Sequence, residues 1–298
     1  MTMGIRPDAL AGSWYPGSAS ALKGLLAECV AEGRRLLAES ELGGRGPPVA
    51  IVAPHAGLAF SGGVAASAYV AVREALPKVD AFVVFGAAHR VRLDRAGIWA
   101  SGSWRTPLGA IDVDEALADA LIGAGVGGEN EAAHAGDNAV ELHTPFIKAL
   151  FPEAKIVPVA MSFFPDSAAL GKKASAAVRA AAPDKTVIAA ASTDLTHYGA
   201  AFGVLPAGVG DPALEWTRKN DSRFLDALAA LDLDGIVPRA ERDGSACGAG
   251  AAAAAAGWAA ERGARAGVVL AYATSHDIAP SGTAERFVGY GSVLYAAP

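Results

Sequence analysis

The apolar positions of this chain fall into short continuous runs, separated by longer stretches in which apolar and polar residues alternate with helical spacing. The runs cover residues 49–53, 81–85, 155–160, 186–191, 267–273 and 287–295. Short apolar runs bounded by turn residues are typical of strands buried on both faces. The pattern therefore predicts a central sheet covered by helices on both sides.

The segments between the runs predict the helices of the same domain. Helical spacing covers residues 21–37, 63–75, 114–122 and 167–181, part of 211–231, and the stretch that follows Cys247. Strands that alternate with helices indicate the α/β class. Since no repeat or linker divides the chain, we expect one domain over residues 1–298, with a mostly parallel or mixed sheet flanked by helices.

Composition narrows the range of partners. The chain has 298 residues, is 52% hydrophobic and carries a formal net charge of −6, with no run of Lys or Arg. Such a balance argues against a nucleic-acid partner or an anionic membrane surface. The N-terminal residues lack the apolar core of a signal peptide, and no apolar stretch matches a membrane span. We therefore expect a cytoplasmic location and no membrane partner.

Three of the six histidines share one position in the predicted topology. His55, His89 and His197 each lie just beyond the carboxyl end of a predicted buried strand. In open α/β sheets this edge is where ligands bind, because the loops there converge on a crevice. A single histidine in such a place is more often a hydrogen-bonded core residue, but three together indicate a functional site. Imidazole is both a metal ligand and a general base near neutral pH.

Cys247 is the best local candidate for a third metal ligand, since a catalytic metal often takes three protein ligands and keeps a position open. It lies between glycines, immediately before an alanine-rich helix. The positive end of a helix dipole favours thiolate. The alternative is a small buried apolar cysteine, which is how we interpret Cys29 in its amphipathic helix.

Three further polar residues are candidates for supporting roles. Asp194 precedes His197 by three positions and is expected to orient that imidazole or bind substrate, the alternative being an aspartate that forms a turn or caps a helix. Glu141 and His143 are candidates for hydrogen bonds that orient the metal ligands, and a structural salt bridge is an equally good interpretation.

Taken in order, the motifs of the chain resemble those of the MEMO family, whose bacterial and archaeal members are called AmmeMemoRadiSam system protein B. That family is in turn similar to the LigB-type class III extradiol dioxygenases. The likeness spans nearly the whole chain and rests on an ordered set of motifs. They are residues 6–7, 11–16, 53–57, 85–89, 104–109, 140–146, 192–199 and 247–248.

The resemblance implies a LigB-like fold and a particular assignment of the site residues. His55, His89 and Cys247 match the family's metal-binding set. His197 matches the acid/base histidine of the dioxygenases. The chain departs from the family's usual motifs immediately before His89, where it has two alanines, and at residues 137–139, where it has Asp-Asn-Ala in place of Glu-His-Ser.

These observations leave three functional hypotheses. The first is an oxidoreductase of the extradiol type that holds a divalent metal, preferably Fe(II) with Cu or Zn as alternatives, and acts on a small aromatic or other small molecule. The second is a non-catalytic metal or redox protein, or one that uses the inherited cleft to bind a small ligand, a peptide or a protein partner. The third is a zinc hydrolase, with His197 or Glu141 as the base that activates water.

Overall fold

The computed structural model describes residues 4–40 and 46–298. Its strands are β1 (Ile5–Arg6), β2 (Pro48–Ala53), β3 (Ala81–Ala87), β4 (Ala96–Ile98), β5 (Ser103–Trp104), β6 (Ile111–Asp112), β7 (Gly127–Glu129), β8 (Lys155–Met161), β9 (Val187–Ser192), β10 (His197–Tyr198), β11 (Gly267–Thr274) and β12 (Phe287–Ala296). Its α-helices are α1 (Ala19–Ala38), α2 (Leu58–Ala75), α3 (Glu115–Gly123), α4 (Asn138–Glu141), α5 (Thr144–Leu150), α6 (Ser167–Ala181), α7 (Asp211–Ala229), α8 (Ile236–Asp243), α9 (Ala249–Glu261) and α10 (Ser275–Ile278).

Nine of these strands form one mixed sheet in the described part of the chain. The order is β10-β12-β2-β9-β3-β8-β4-β7, and β11 pairs with β12. The four central strands, β2, β9, β3 and β8, run parallel, whereas β12 joins β2 antiparallel and β4 joins β8 antiparallel. The predicted mixed α/β fold, with helices against a large sheet, is confirmed.

The abundance of alanine and glycine has a structural reason in the contact between α6 and α9. A Cβ atom at Gly171 would overlap the carbonyl of Ala254, and one at Gly257 would overlap the carbonyl of Ala168. The two helices therefore approach backbone to backbone, which larger side chains would prevent. The alanines of α9 other than Ala260 are buried, and the helix packs against the central strands.

The structure extends the sequence prediction in several places. Helix α2 begins at Leu58, five residues before the predicted start at residue 63. A separate three-stranded sheet, β1-β5-β6, was not predicted, because strands of two residues show no hydrophobic periodicity. The short helices α4, α5 and α10 were missed for the same reason, whereas α8 was not predicted although its apolar residues have helical spacing.

The parallel strands bring their carboxyl ends to one edge of the sheet. Ser192, at the end of β9, pairs in register with Ala53 of β2 on one side and Gly86 of β3 on the other. The loops that follow these three strands therefore start side by side, and they carry the three predicted histidines. Among the described residues, no helix is long and apolar enough to cross a membrane.

Candidate metal centre

His55, His89 and Cys247 meet at this edge of the sheet, although they are far apart in sequence. One ligand atom from each residue lies within 4.8 Å of the others, and these three form a group that could hold a metal ion. The Cys247 Sγ atom is 3.3 Å from His55 Nε2. The two imidazole rings are nearly perpendicular, with their centroids 5.0 Å apart.

Ser192 fixes the orientation of the His55 ring. Its hydroxyl donates to the carbonyl of Ala139 at 2.5 Å and lies 2.7 Å from His55 Nδ1. Since a hydroxyl has one hydrogen, the second contact requires His55 to donate from Nδ1. In the neutral ring the lone pair is then on Nε2, the atom that faces Cys247.

Asp137 fixes the His89 ring in the same tautomer. Its two carboxylate oxygens accept from His89 Nδ1 at 3.1 Å and from the His89 backbone N–H at 2.8 Å. The carboxylate also accepts from the Ala139 N–H at the start of α4. An aspartate behind a histidine is the usual arrangement at protein metal sites, where it orients the ring and raises its basicity.

The backbone around Cys247 is held against the end of β9. The N–H groups of Cys247 and Gly248 donate to the Asp194 carbonyl, at 3.3 Å, and to Thr193 Oγ1, at 2.8 Å. A Cβ atom at position 248 would overlap the Ser192 carbonyl. Glycine at this position therefore lets the segment approach closely enough for the Cys247 sulfur to reach the histidines.

The electrostatics of the group favour an ionised thiol. Burial opposes ionisation of Cys247, but the His55 and His89 rings lower the pKa of the thiol to about 6. Burial would likewise lower the pKa of His89, yet Asp137 and the Cys247 sulfur outweigh it and raise that pKa to about 10. In the protein without metal, the two side chains therefore form a thiolate–imidazolium pair at neutral pH.

A cavity of about 360 Å³ opens beside the group. His89 and Cys247 contribute to its wall, so that anything bound there contacts the ligand set directly. The His89 side chain is 32% exposed, whereas His55 is buried. The site is thus closed on the His55 side and open to small molecules on the His89 side.

Asp194 contacts His55 and Cys247, and among the described residues no hydrogen bond joins its carboxylate to His197. The His197 Nδ1 atom contacts the Leu195 carbonyl at 3.1 Å, so this nitrogen is the donor, and Nε2 has no hydrogen-bond partner within residues 4–40 and 46–298. The Asp194 carboxylate instead accepts from the His55 backbone N–H at 2.8 Å. Burial raises the pKa of Asp194 to about 6, against the opposing effect of the His55 N–H and of the nearby His197 and His89.

Glu141 and His143 hydrogen-bond to residues other than the metal ligands, and for Glu141 the contacts match the alternative of a structural salt bridge. Glu141 is fully buried and pairs with Arg6, and it also accepts from the Leu10 N–H and the Tyr15 hydroxyl. A buried carboxylate needs a charged partner, and here that partner comes from β1. The Nδ1 atom of His143 contacts the Tyr69 hydroxyl at 2.7 Å, and burial lowers the pKa of His143 to about 3.

Sequence reasoning missed Ser192 and Asp137, the two residues that orient the ligand rings. Ser192 ends a predicted strand and so lies at the same edge as the histidines, a position that could have suggested its role. Asp137 lies 48 residues after His89, and its sequence signal is that of a residue that caps a helix.

The donor set fits a transition metal with positions left open. Two imidazole nitrogens and one thiolate suit zinc, copper or iron, and three protein ligands leave room for water or substrate. Both histidines are held with Nε2 available, which is the form that coordinates. His55, His89 and Cys247 would be the residues that hold the ion.

Comparison with known proteins shows the family of this chain. The family model described as Memo-like protein matches residues 6–294. A MEMO1 family protein of Methanopyrus kandleri is 32% identical over 97% of this chain and 98% of its own length. Another from Methanosarcina acetivorans is 32% identical, over 98% of this chain and 99% of its own.

The chain therefore belongs to the Memo-like family, as the ordered motifs suggested. Among solved structures, an uncharacterized protein from Escherichia coli K12 has a similar fold, with a TM-score of 0.52 over 82% of this chain and 98% of that one. Its sequence identity is 13%, so this likeness concerns the fold alone.

Proposed function

We propose that this protein is a metal-dependent oxidoreductase with a site of the extradiol dioxygenase type, and that Fe(II) is its preferred metal, with copper as the second choice. The observation that carries the proposal is the convergence of His55, His89 and Cys247 within 4.8 Å. A ferrous ion with open positions supplies the means to bring an oxidisable aromatic substrate and dioxygen together.

The remaining residues of the site suit such a reaction. Ser192 and Asp137 hold the ligand rings so that neither has to reorient when an ion binds. His197 has a free Nε2 atom and is half-buried, so it can take a proton from a substrate hydroxyl and return it later. Asp194 acts as a positioning residue, since its carboxylate holds the His55 backbone and its carbonyl holds Cys247.

The test is to measure metal content and oxygen consumption in the same preparation. Protein purified without oxygen should contain, or take up, one equivalent of Fe(II) and consume oxygen when a panel of catechols is added. His55→Ala should lose the metal and the oxygen uptake together. Bound iron without uptake for any catechol would refute the enzymatic proposal.

A second candidate function is a non-catalytic metal or redox protein that binds a small ligand or a peptide in the same cleft. The observation that favours it is the Cys247 thiol, whose pKa the two histidine rings lower to about 6 despite its burial. Thiolate is a soft ligand that suits Cu(I) or Zn at least as well as iron, and it is open to oxidation. Copper, or no redox metal, in protein that shows no oxygen uptake would favour this function over the first.

A further inference from the structure

The loop that carries His89 also places two arginines at the cavity beside the metal centre. Arg90 and Arg92 both line the cavity, together with the ligands His89 and Cys247. Both arginines are exposed. Neither forms an ion pair with a carboxylate anywhere in the described residues 4–40 and 46–298.

Free guanidinium groups at this place are notable because the chain as a whole is acidic, with a net charge of −6. Seven of the sixteen arginines among the described residues pair with an acid, as Arg35 does with Glu32 and Glu39. No carboxylate is among the described residues that line this cavity. Asp137, which contacts His89, is already engaged by that residue and by the start of α4.

The cavity combines this positive rim with an apolar wall. Val91, Met161 and Phe163 also line it, and the ligands His89 and Cys247 lie at its inner side. A volume of about 360 Å³ is at the small end of the range for pockets that bind small molecules. The space suits one aromatic ring that contacts the apolar side chains, with an anionic group directed to the rim.

We propose that the natural ligand of this site is a small aromatic anion, and that Arg90 and Arg92 bind its carboxylate or other acidic group while its opposite end reaches the metal centre. This inference rests on the proposed function for the metal end of the ligand. Guanidinium is the side chain best suited to a carboxylate, because its N–H groups match the two oxygens. The arginines would thereby determine specificity without taking part in the chemical step.

The chain provides a matched control in Arg95, which follows on the same loop. Its guanidinium lies against Gly128 of β7 rather than in the cavity. Arg95→Met therefore removes the same charge from the same loop but leaves the proposed binding site intact. If net charge alone determines the affinity for an anionic probe, Arg95→Met will reduce that affinity. If a specific contact determines it, Arg95→Met will leave the affinity unchanged.

The experiment compares 3,4-dihydroxybenzoate with 4-methylcatechol, two probes that differ mainly in carrying a carboxylate or a methyl group. Their affinities are measured by calorimetry on protein loaded with Zn²⁺, which avoids oxidation of the probes. We expect the carboxylate probe to bind at least about tenfold more tightly, or about 1.4 kcal/mol. The double variant Arg90→Met/Arg92→Met should reduce this preference to less than about threefold at unchanged zinc content, while Arg95→Met keeps it.

Equal affinity for the two probes in the unaltered protein would overturn the inference, as would a preference that survives in the double variant or an absence of binding by both probes. The proposed function is tested separately, by measuring oxygen uptake by the iron-loaded protein. A carboxylate preference without oxygen uptake refutes the enzymatic proposal alone. Uptake with both catechols and no preference refutes the anion site alone.

Discussion

Replacing Asp137 by asparagine would remove the negative charge behind His89 while nearly preserving the shape of the side chain. The amide oxygen can still accept one hydrogen bond from His89 Nδ1 or from the N–H groups that Asp137 now binds. It cannot stabilise positive charge that the imidazole acquires when its Nε2 donates to a metal ion. The substitution therefore tests the electrostatic part of the contact and leaves most of the geometry in place.

The expected loss can be estimated from the contacts. Removal of an outer partner of a metal-bound histidine typically lowers metal affinity about 10- to 100-fold. The 3.1 Å contact from His89 Nδ1 is longer than an ideal charge-assisted hydrogen bond, and the side chain is 32% exposed, which favours the lower half of that range. We expect about a 10- to 30-fold loss, or about 1.4 to 2 kcal/mol.

The assay is competition for Zn²⁺ between the protein and a chromophoric chelator at constant pH. Ser192→Ala provides a comparison at the other histidine, where a neutral hydroxyl is removed, and it should cost about 1 kcal/mol because a neutral hydrogen bond is weaker. Affinity in the Asp137→Asn variant equal to that of the unaltered protein would show that His89 does not bind the ion through Nε2 with the carboxylate behind it.

Three further outcomes follow from the site. Glu141→Gln should lower the free energy of unfolding by about 3 to 5 kcal/mol in denaturant titrations, because it leaves Arg6 buried without its charged partner. The folded variant should bind metal as the unaltered protein does, and weakened binding would show that Glu141 supports the metal site. Metal uptake should release at least one proton at pH 7 to 8, since His89, with its pKa near 10, must lose one while Cys247, with its pKa near 6, has already lost its own. Apparent affinity should therefore rise at least about tenfold per pH unit between these values, and a pH-independent affinity would contradict the thiolate–imidazolium pair. His197→Gln should keep the metal but lower oxygen uptake about 10²- to 10⁴-fold, whereas unchanged uptake would exclude it as the acid/base residue.

The sheet and its long helices were predictable because their sequence signals are local. Helix α6 has the same bounds, Ser167–Ala181, as its helical spacing predicts, and β2 differs from the predicted strand by one residue. These segments bury a continuous apolar face, so their periodicity reports their structure directly. Helix α2 begins earlier than its apolar spacing predicts, because Gly57 is its N-cap and Leu58 is its first residue.

The edge of the sheet that holds the ligands was also predictable, since it follows from strand direction alone. The partners of the ligands were not. Ser192 reaches His55 across 137 positions and Asp137 reaches His89 across 48, and no local pattern encodes such contacts. For Glu141 the sequence left a structural salt bridge as one of two interpretations but did not identify its partner, because Arg6 lies on a two-residue strand that shows no periodicity.

The most direct test of the metal centre is a titration of the metal-free protein with Co²⁺, followed by absorption spectroscopy, in the unaltered protein and in Cys247→Ser. Binding by two imidazoles and a thiolate should saturate at one equivalent and give a thiolate-to-cobalt charge-transfer band in the near ultraviolet. The serine variant should lose that band and bind more weakly. Absence of saturable binding, or the same spectrum in both proteins, would contradict the assignment of His55, His89 and Cys247 as one ligand set.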